Sequence, residues 1–173
     1  MSTTVVVAEL DAAAVRAALD ELAAVLVDCV EGGASVSFMA PYTHDQARAF
    51  FRAVADGIER AEIVLLAARH DGRIVGTVQL GIKTPPNQPH RADVNKLLVL
   101  RNARKQGTGA ALMRQLEIAA RARGRSLLVL DTASDAAERL YERMGWTRVG
   151  VIPGYALLPH GGLCDTTLFW KRV

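Results

Sequence analysis

Residues 92–124 read ADVNKLLVLRNARKQGTGAALMRQLEIAARARG and combine an apolar strand pattern, a glycine-rich turn and an amphipathic helix. Residues 92–100 are rich in apolar and β-branched side chains, which predicts a strand. The helix is predicted to begin at the Gly107 turn and to close at Gly124. Its inward face is marked by residues at helical spacing, namely Leu112, Leu116, Ala119 and Ala120.

A second strand and a short helix follow this unit. Residues 126–130 are apolar and end at Asp131-Thr132. The short helix that comes next has Ser134 as its predicted N-cap and Gly145 at its end. A strand-helix-strand unit places its two strands side by side and parallel, so these two strands are predicted at the centre of the sheet.

In the rest of the chain, the sequence pattern predicts helices and antiparallel strands. Asp11 is the predicted N-cap of the first helix, and Asp71-Gly72 favours a tight hairpin turn. Strands are predicted over residues 3–10, 63–69, 74–82, 146–152 and 166–173, helices over residues 11–29 and 44–60, and a loop over residues 153–164. The fold class is therefore α/β, as a single domain over residues 1–173 with a mixed sheet that is antiparallel at its ends.

Composition excludes several classes of protein. About half of the 173 residues are apolar, which suits one domain with its own core. A formal charge of +3, scattered along the chain, gives no basic face for nucleic acid. Cys29 and Cys164 lack any metal-ligand spacing, so no metal and a cytoplasmic protein with reduced thiols are expected. No apolar run approaches the ~20 residues of a membrane span, and residues 1–10 do not resemble a signal peptide.

The turn Arg104-Lys105-Gln106-Gly107-Thr108-Gly109 is the most informative chemical feature. Its glycines let the backbone approach a ligand, and the free N–H groups of the first helical turn form an anion site that suits a pyrophosphate. A P-loop would need Gly-Lys-Ser/Thr, which is absent. A dinucleotide-binding fingerprint would need a third glycine where this chain has Leu112.

Two motifs resemble those of one enzyme family. Arg104-x-x-Gly107-x-Gly109 resembles the Arg/Gln-x-x-Gly-x-Gly/Ala pyrophosphate loop of GNAT acetyltransferases. Ala137-x-x-x-Tyr141-x-x-x-Gly145-Trp146 resembles the second signature of that family. The resemblance covers residues 92–150 strongly. Shorter stretches look most like tabtoxin resistance protein-like acetyltransferases: residues 31–36, 130–132 and 152–156, with Pro159-x-Gly161.

The resemblance implies a GNAT fold and acetyl-CoA as acyl donor. That fold has a mostly antiparallel sheet of about seven strands, about four helices and a parallel pair that splays at the centre. The residues expected at the cofactor are Leu98, Val99, Leu100, Arg104, Lys105, Gln106, Gly107, Thr108, Gly109, Ala110 and Tyr141. Those expected at the acceptor are Glu31, Ser35, Phe38, Asp93, Asp131 and Tyr155, although Phe38 is equally a core residue.

Transfer to an amine needs a base, because alkylamines have a pKa near ~10 and must lose a proton before attack. Asp93 is the first candidate, since strand alternation places it on one face with Asn95; the alternative is a structural pair with Arg91 or Lys96. Asp131 ends the next strand and could share the base role or bind the substrate ammonium. The alternative for Asp131 is capping of the Ser134 helix.

The leaving thiolate needs an acid, and Tyr141 is expected to fill that role by resemblance to the family. Helical spacing alone would make Tyr141 a packing residue. The family also implies that backbone N–H groups near Leu98 to Leu100, where the strand bulges, stabilise the developing oxyanion. Direct attack without a covalent enzyme intermediate is predicted, because Cys29 and Cys164 have no partnered base in the sequence.

The predicted function is therefore N-acetylation of a primary amine on a small molecule, such as an amino-acid-like toxin or antibiotic. Two alternatives remain: a non-catalytic acyl-CoA-binding sensor, and an acetyltransferase acting on a protein or aminoacyl-tRNA amine. Because the charge is scattered, the sequence shows no basic face that would bind a large anionic partner. An exposed edge on the final hairpin is compatible with a homodimer. The sequence does not identify the acceptor.

Overall fold

The computed structural model describes residues 5–173, and its framework is one seven-stranded sheet. The strands are β1 (Val6–Leu10), β2 (Ile63–His70), β3 (Arg73–Gly81), β4 (Arg91–Val99), β5 (Leu127–Thr132), β6 (Thr147–Leu157) and β7 (Leu163–Arg172). The helices are α1 (Ala12–Ala17), α2 (Leu19–Glu31), α3 (His44–Glu59), α4 (Thr108–Ala122) and α5 (Asp135–Arg143). A 3₁₀ turn spans Arg101–Ala103. The predicted start of the first strand, at residues 3–4, lies outside the described residues.

The strand order is β1-β2-β3-β4-β5-β7-β6, and β4 and β5 form the one parallel pair among the described strands. Their ladder runs from Arg91 opposite Leu127 to Asp93 opposite Val129. Beyond Asp93 both strands continue without pairing to each other, as far as Val99 and Thr132. The prediction of a mixed sheet that parts at its centre is confirmed.

Helices cover both faces of the sheet. One core cluster joins α1, α2 and α3 to Leu65 and Ala67 of β2, and the other joins α4 to Val64 and Leu66 of the same strand. Adjacent residues of a strand point to opposite faces, so β2 supplies both cores. This three-layer arrangement buries β2 and β3 on both sides, which explains their nearly continuous apolar sequences.

A bulge in β4 reverses the side-chain alternation before the strand ends. Gln79 of β3 pairs with Asn95, and Thr77 pairs with Leu98, so β4 contains one extra residue in this interval. Lys96 lies within the bulge with φ of 53°. Val94 consequently packs toward α4, whereas Leu98 packs toward α2 and α3. The family resemblance implied a bulge at residues 98–100, and the structure has the bulge just before that segment.

The β2–β3 hairpin has the predicted turn. Asp71 and Gly72 both have positive φ, at 50° and 80°. Such a pair matches the right-handed twist of the two strands, which is why the Asp-Gly step favours it.

Two sequence predictions of the secondary structure are wrong. The helix predicted over residues 11–29 is two helices, because the chain leaves helical geometry at Ala18, with φ of −107° and ψ of 19°. The loop predicted over residues 153–164 shrinks to residues 158–162, since β6 continues through Pro153. Pro153 lies on an edge strand within a register shift between Ile152 and Ala156, where its missing N–H removes no ladder bond.

Within residues 5–173, no helix has the length and apolarity needed to cross a bilayer.

The two faces of α4 provide a direct test of the packing. Leu116 is fully buried and Ile118 is 53% exposed on the same helix. Leu116→Ala should lower the free energy of unfolding by about 2–5 kcal/mol, because it leaves a cavity in the core. Ile118→Ala should change it by no more than about 0.5 kcal/mol. Urea denaturation followed by circular dichroism measures both, and equal losses would contradict the orientation of α4.

Candidate active site

The N-terminus of α4 presents an uncapped first turn. Gly107 is the N-cap residue in a left-handed conformation, with φ of 81°, and no side chain caps the helix. The first N–H groups of a helix have no partner within the helix and carry its positive dipole end. A Cβ at Gly107 would meet no atom within 4 Å, so the space in front of this turn is open. The turn is therefore able to bind an anion such as a pyrophosphate.

The loop before α4 is fixed by short local contacts. Thr108 is buried, and its hydroxyl donates to the Ala103 carbonyl at 3.3 Å. Lys105 is also left-handed, with φ of 61°, and Gln106 donates to the Asn102 carbonyl at 3.0 Å. These contacts hold the loop in a conformation that leaves the backbone of the first α4 turn free.

Gly109 has a packing role in addition to its predicted ligand role. A Cβ there would lie 3.2 Å from Cδ2 of Leu140 on α5. Glycine thus allows α5 to pack closely against the first turn of α4, beside Ala110. This close packing places α5, the helix that carries Tyr141, beside the predicted pyrophosphate site.

Arg104 follows the 3₁₀ turn and folds back against the end of β4. Its Nε donates to the Val99 carbonyl at 3.0 Å, and its guanidinium lies 3.7 Å from Sγ of Cys29. Burial raises the pKa of the Cys29 thiol and the Arg104 charge opposes that effect. The thiol is therefore protonated at neutral pH, which disfavours it as a nucleophile.

The predicted backbone segment lies along the parted strands. Leu98 is buried, and the N–H of Leu100 donates to the Val75 carbonyl of β3 at 2.9 Å. The side of β4 that faces β5 has no strand partner beyond Asp93. The Val99 carbonyl accepts from Arg104, and the Val99 N–H is left open to a ligand that enters between the strands.

A cavity of about 290 Å³ lies at the carboxyl end of β5. Its walls come from the α2–α3 loop, the end of β5, and the strands β6 and β7. The lining residues are Ser35, Ser37, Phe38, Met39, Asp131, Thr132, Ala133, Tyr155, Ala156, Leu157, Cys164, Asp165 and Thr166. Four of the predicted acceptor residues therefore meet here: Ser35, Phe38, Asp131 and Tyr155.

The other two predicted acceptor residues lie elsewhere. Glu31 lines a neighbouring, more open cavity of about 650 Å³, which shares Met39 with the first. Asp93 lines neither cavity. Its carboxylate pairs with the Arg91 guanidinium, which was the structural alternative considered for this residue. Of the two predicted bases, Asp131 lies at the cavity wall and Asp93 lies outside the lining of both cavities.

Asp131 is oriented by one hydrogen bond. Its Oδ2 accepts a hydrogen bond from the Thr166 hydroxyl at 2.7 Å across the β5–β7 pair. The alternative that Asp131 caps α5 is not observed, because the Ser134 hydroxyl accepts from the Ala137 N–H at 3.3 Å. A carboxylate fixed in this way can bind an ammonium group or accept its proton.

Tyr141 is buried in an aromatic cluster. Its ring is 4% exposed and lies 5.8 Å from the Trp146 ring and 5.7 Å from the Phe169 ring, centroid to centroid. Burial raises the pKa of the Tyr141 phenol, and the charge of Asp131 raises it further. The phenol therefore keeps its proton at neutral pH and can act as an acid.

Lys96 contacts two residues of the cavity wall, although the sequence pattern suggested it only as a partner for Asp93. Its Nζ donates to the Ser37 hydroxyl at 2.9 Å and lies 5.6 Å from the Phe38 ring centroid. A lysine within a strand pattern gives no signal of such a position. The sequence pattern also gives no sign of the left-handed backbone at the bulge, which places Lys96 beside the cavity wall.

No group of three or more His, Cys, Asp and Glu side chains within residues 5–173 could hold a metal ion.

Comparison with known proteins agrees with this geometry. The model of the acetyltransferase (GNAT) family matches residues 30–146, which is more than half of the chain. Among solved structures, an N-acetyltransferase from Staphylococcus aureus Mu50 has a TM-score of 0.81 at 17% identity, covering 98% of this chain and 99% of that one.

Two further structures are similar over nearly their whole length. Ribosomal-protein-alanine N-acetyltransferase from Brucella melitensis has a TM-score of 0.78 at 22% identity, with coverage of 97% and 99%. YncA from Salmonella typhimurium, solved with its cofactor acetyl-CoA, has a TM-score of 0.78 at 18% identity, with coverage of 97% and 93%.

At these low identities, the solved structures show that the fold is shared. The family match also covers the two sequence motifs, at residues 104–109 and 137–146. It spans the Gly107 turn, the parted strands β4 and β5, Asp131 and Tyr141. This chain belongs to the GNAT family of acetyltransferases.

Proposed function

We propose that this protein transfers an acetyl group from acetyl-CoA to a primary amine of a small molecule, by direct attack in a ternary complex. One observation carries the proposal. The uncapped turn of α4 and the cavity around Asp131 lie on either side of the gap between β4 and β5. A thioester bound along β4 and an amine in the cavity would therefore meet in that gap.

The donor end suits the diphosphate of coenzyme A. The first turn of α4 offers N–H groups from Thr108, Gly109 and Ala110, and Gly107 leaves open space in front of them. Lys105 and Arg104 add positive charge, the latter after release from the Val99 carbonyl. Acetyl-CoA would supply an activated acyl group as a thioester. Its presence in the structure of YncA, which has the same fold, supports this assignment.

The acceptor end suits a small molecule that carries an amine. Asp131 would bind the ammonium form and take its proton, and Ser35, Phe38 and Tyr155 would line the site. A cavity of about 290 Å³ holds a molecule of amino-acid size, which favours a toxin, an antibiotic or a related metabolite. The same assays test the two alternatives, an acetyltransferase that acts on a protein or aminoacyl-tRNA amine and a non-catalytic acyl-CoA-binding sensor.

The chemistry between the two ends requires charge stabilisation and a proton. The Val99 N–H, on the side of β4 that has no strand partner, would stabilise negative charge that develops on the thioester oxygen. Tyr141, whose phenol is protonated at neutral pH, would protonate the departing sulfur. No covalent enzyme intermediate is required.

Donor binding is tested by Gly107→Asp. The introduced carboxylate would repel the diphosphate and occupy the free N–H groups, so the affinity for acetyl-CoA should fall about 10- to 100-fold or more in calorimetric titration. Gly124→Asp is the matched control, since Gly124 has φ of 68°, has open space around its Cβ position, and lies at the opposite end of α4. Unchanged affinity in Gly107→Asp, or equal losses in both variants, would contradict the donor site.

The acid is tested by Tyr141→Phe. The ring still packs against Trp146 and Phe169, so the Tm and the affinity for acetyl-CoA should be retained. Turnover should fall about 100-fold, because the sulfur loses its proton donor. A thiol-release assay with a panel of primary amines measures turnover. Full turnover in this variant would reduce Tyr141 to a packing residue.

The base is tested by two isosteric substitutions in the same assay. Asp131→Asn should lower kcat/KM for amines about 100-fold, since it removes the proton acceptor at the cavity. Asp93→Asn should have the smaller effect, because Asp93 lies outside the cavity lining and pairs with Arg91. The opposite order would assign the base to Asp93. Acetyl-CoA binding without thiol release on any amine or peptide would support the sensor.

A further inference from the structure

Lys96 has a backbone conformation that removes it from the regular strand. Its φ of 53° is left-handed, a conformation that non-glycine residues rarely adopt. The bulge that contains it lies on the part of β4 that has no partner on the β5 side. Lys96 is therefore at the border between the proposed donor path and the acceptor cavity.

The Lys96 amine is held by two residues of the acceptor cavity. Nζ donates to the Ser37 hydroxyl at 2.9 Å and lies 5.6 Å from the Phe38 ring centroid. Ser37 and Phe38 line the cavity together with Asp131. The side chain consequently places an amine where the proposed reaction needs one.

Asp131 acts electrostatically on both Lys96 and Tyr141. Burial lowers the pKa of the Lys96 amine, and the Asp131 carboxylate opposes this effect. The same carboxylate contributes to the raised pKa of Tyr141. An amine whose neutral form is favoured by burial, a carboxylate base and a protonated phenol thus share one neighbourhood.

The other lysines lack these contacts. The chain has four lysines, all in the described part. Lys83 pairs with Glu62 at 2.5 Å, and Lys171 bonds to Glu117 at 2.8 Å. Lys105 lies in the exposed loop before α4. None of these three donates a hydrogen bond to a residue of the cavity wall, as Lys96 does to Ser37.

We propose that Lys96 is an internal acetyl acceptor, whose amine attacks acetyl-CoA when no substrate amine fills the cavity. The proposal rests on the donor site and base described under the proposed function. It assigns a modification site to the chain itself, in addition to transfer to a small molecule.

The step balances without a further reactant. The lone pair of the neutral Lys96 Nζ forms the new N–C bond, and the C–S bond of the thioester breaks with its electron pair passing to sulfur. The proton lost by nitrogen goes to Asp131, and sulfur takes the proton of Tyr141, which water then restores. The products are Nε-acetyllysine at position 96 and the free thiol of coenzyme A.

Acetylation would limit the enzyme itself. The product is an amide, which does not donate its acetyl group to an amine as a thioester does. It removes the positive charge near Asp131 and adds an acetyl group beside Ser37 and Phe38. The modified chain should therefore still bind coenzyme A but transfer acetyl groups more slowly to added amines.

The test is incubation of the purified full chain with isotopically labelled acetyl-CoA and no acceptor, followed by intact-mass measurement and peptide mapping. One acetyl group per chain is expected, located on Lys96. Lys96→Arg should lose the label, since arginine keeps the charge but is not acylated. Lys83→Arg is the matched control and should keep it. Asp131→Asn should slow labelling about 10-fold or more.

Calorimetry separates this proposal from the proposed function. Acetylated protein is expected to bind coenzyme A with unchanged affinity, which is a measurement independent of turnover. A label spread over several lysines, or retained in Lys96→Arg, would overturn the internal acceptor. If amines still release thiol in that case, the proposed function stands, whereas absence of acetyl-CoA binding would overturn both.

Discussion

The separation of β4 from β5 after a short parallel ladder is the constraint on which the site depends. The ladder ends at Asp93 and Val129, and from there each strand is held by its other neighbour, β4 by β3 and β5 by β7. Backbone groups on the inner sides of the two strands are left for a ligand, because an unpaired buried N–H or carbonyl is costly. Packing of α4 on one face and of α2 and α3 on the other keeps the strands in place without closing the gap.

The two ends of this gap carry charge of opposite sign. The N-terminus of α4 provides positive potential at one end, and the Asp131 carboxylate provides negative charge at the other. These charges suit the two ends of the proposed reaction, the diphosphate of the donor at α4 and the ammonium group of the acceptor at Asp131. Tyr141 lies in the apolar cluster of Trp146 and Phe169 near this centre, where burial keeps its proton in place. Desolvation and the Asp131 charge thus act together on the residue proposed as the acid.

Local patterns predicted most of the framework, and the failures have local causes. The strand before Gly107, the helix after it and the Asp71-Gly72 hairpin were predicted correctly because glycine and side-chain periodicity control these features directly. The break at Ala18 lies in a run of good helix formers, so the pattern carried no sign of it. Pro153 was read as a loop residue, although an edge strand with a register shift accepts it.

The sequence by itself determined the family, the order of the elements and the glycine turn before α4, because these follow from residues that are neighbours along the chain. Tertiary structure decided which carboxylate reaches the cavity: the sequence favoured Asp93 as the first candidate, but Asp93 pairs with Arg91 and Asp131 lines the cavity. It also decided the place of Lys96, whose partner Ser37 is 59 residues away. Such contacts depend on the bulge in β4 and on how the α2–α3 loop folds over the sheet, and neither leaves a periodic pattern in the sequence.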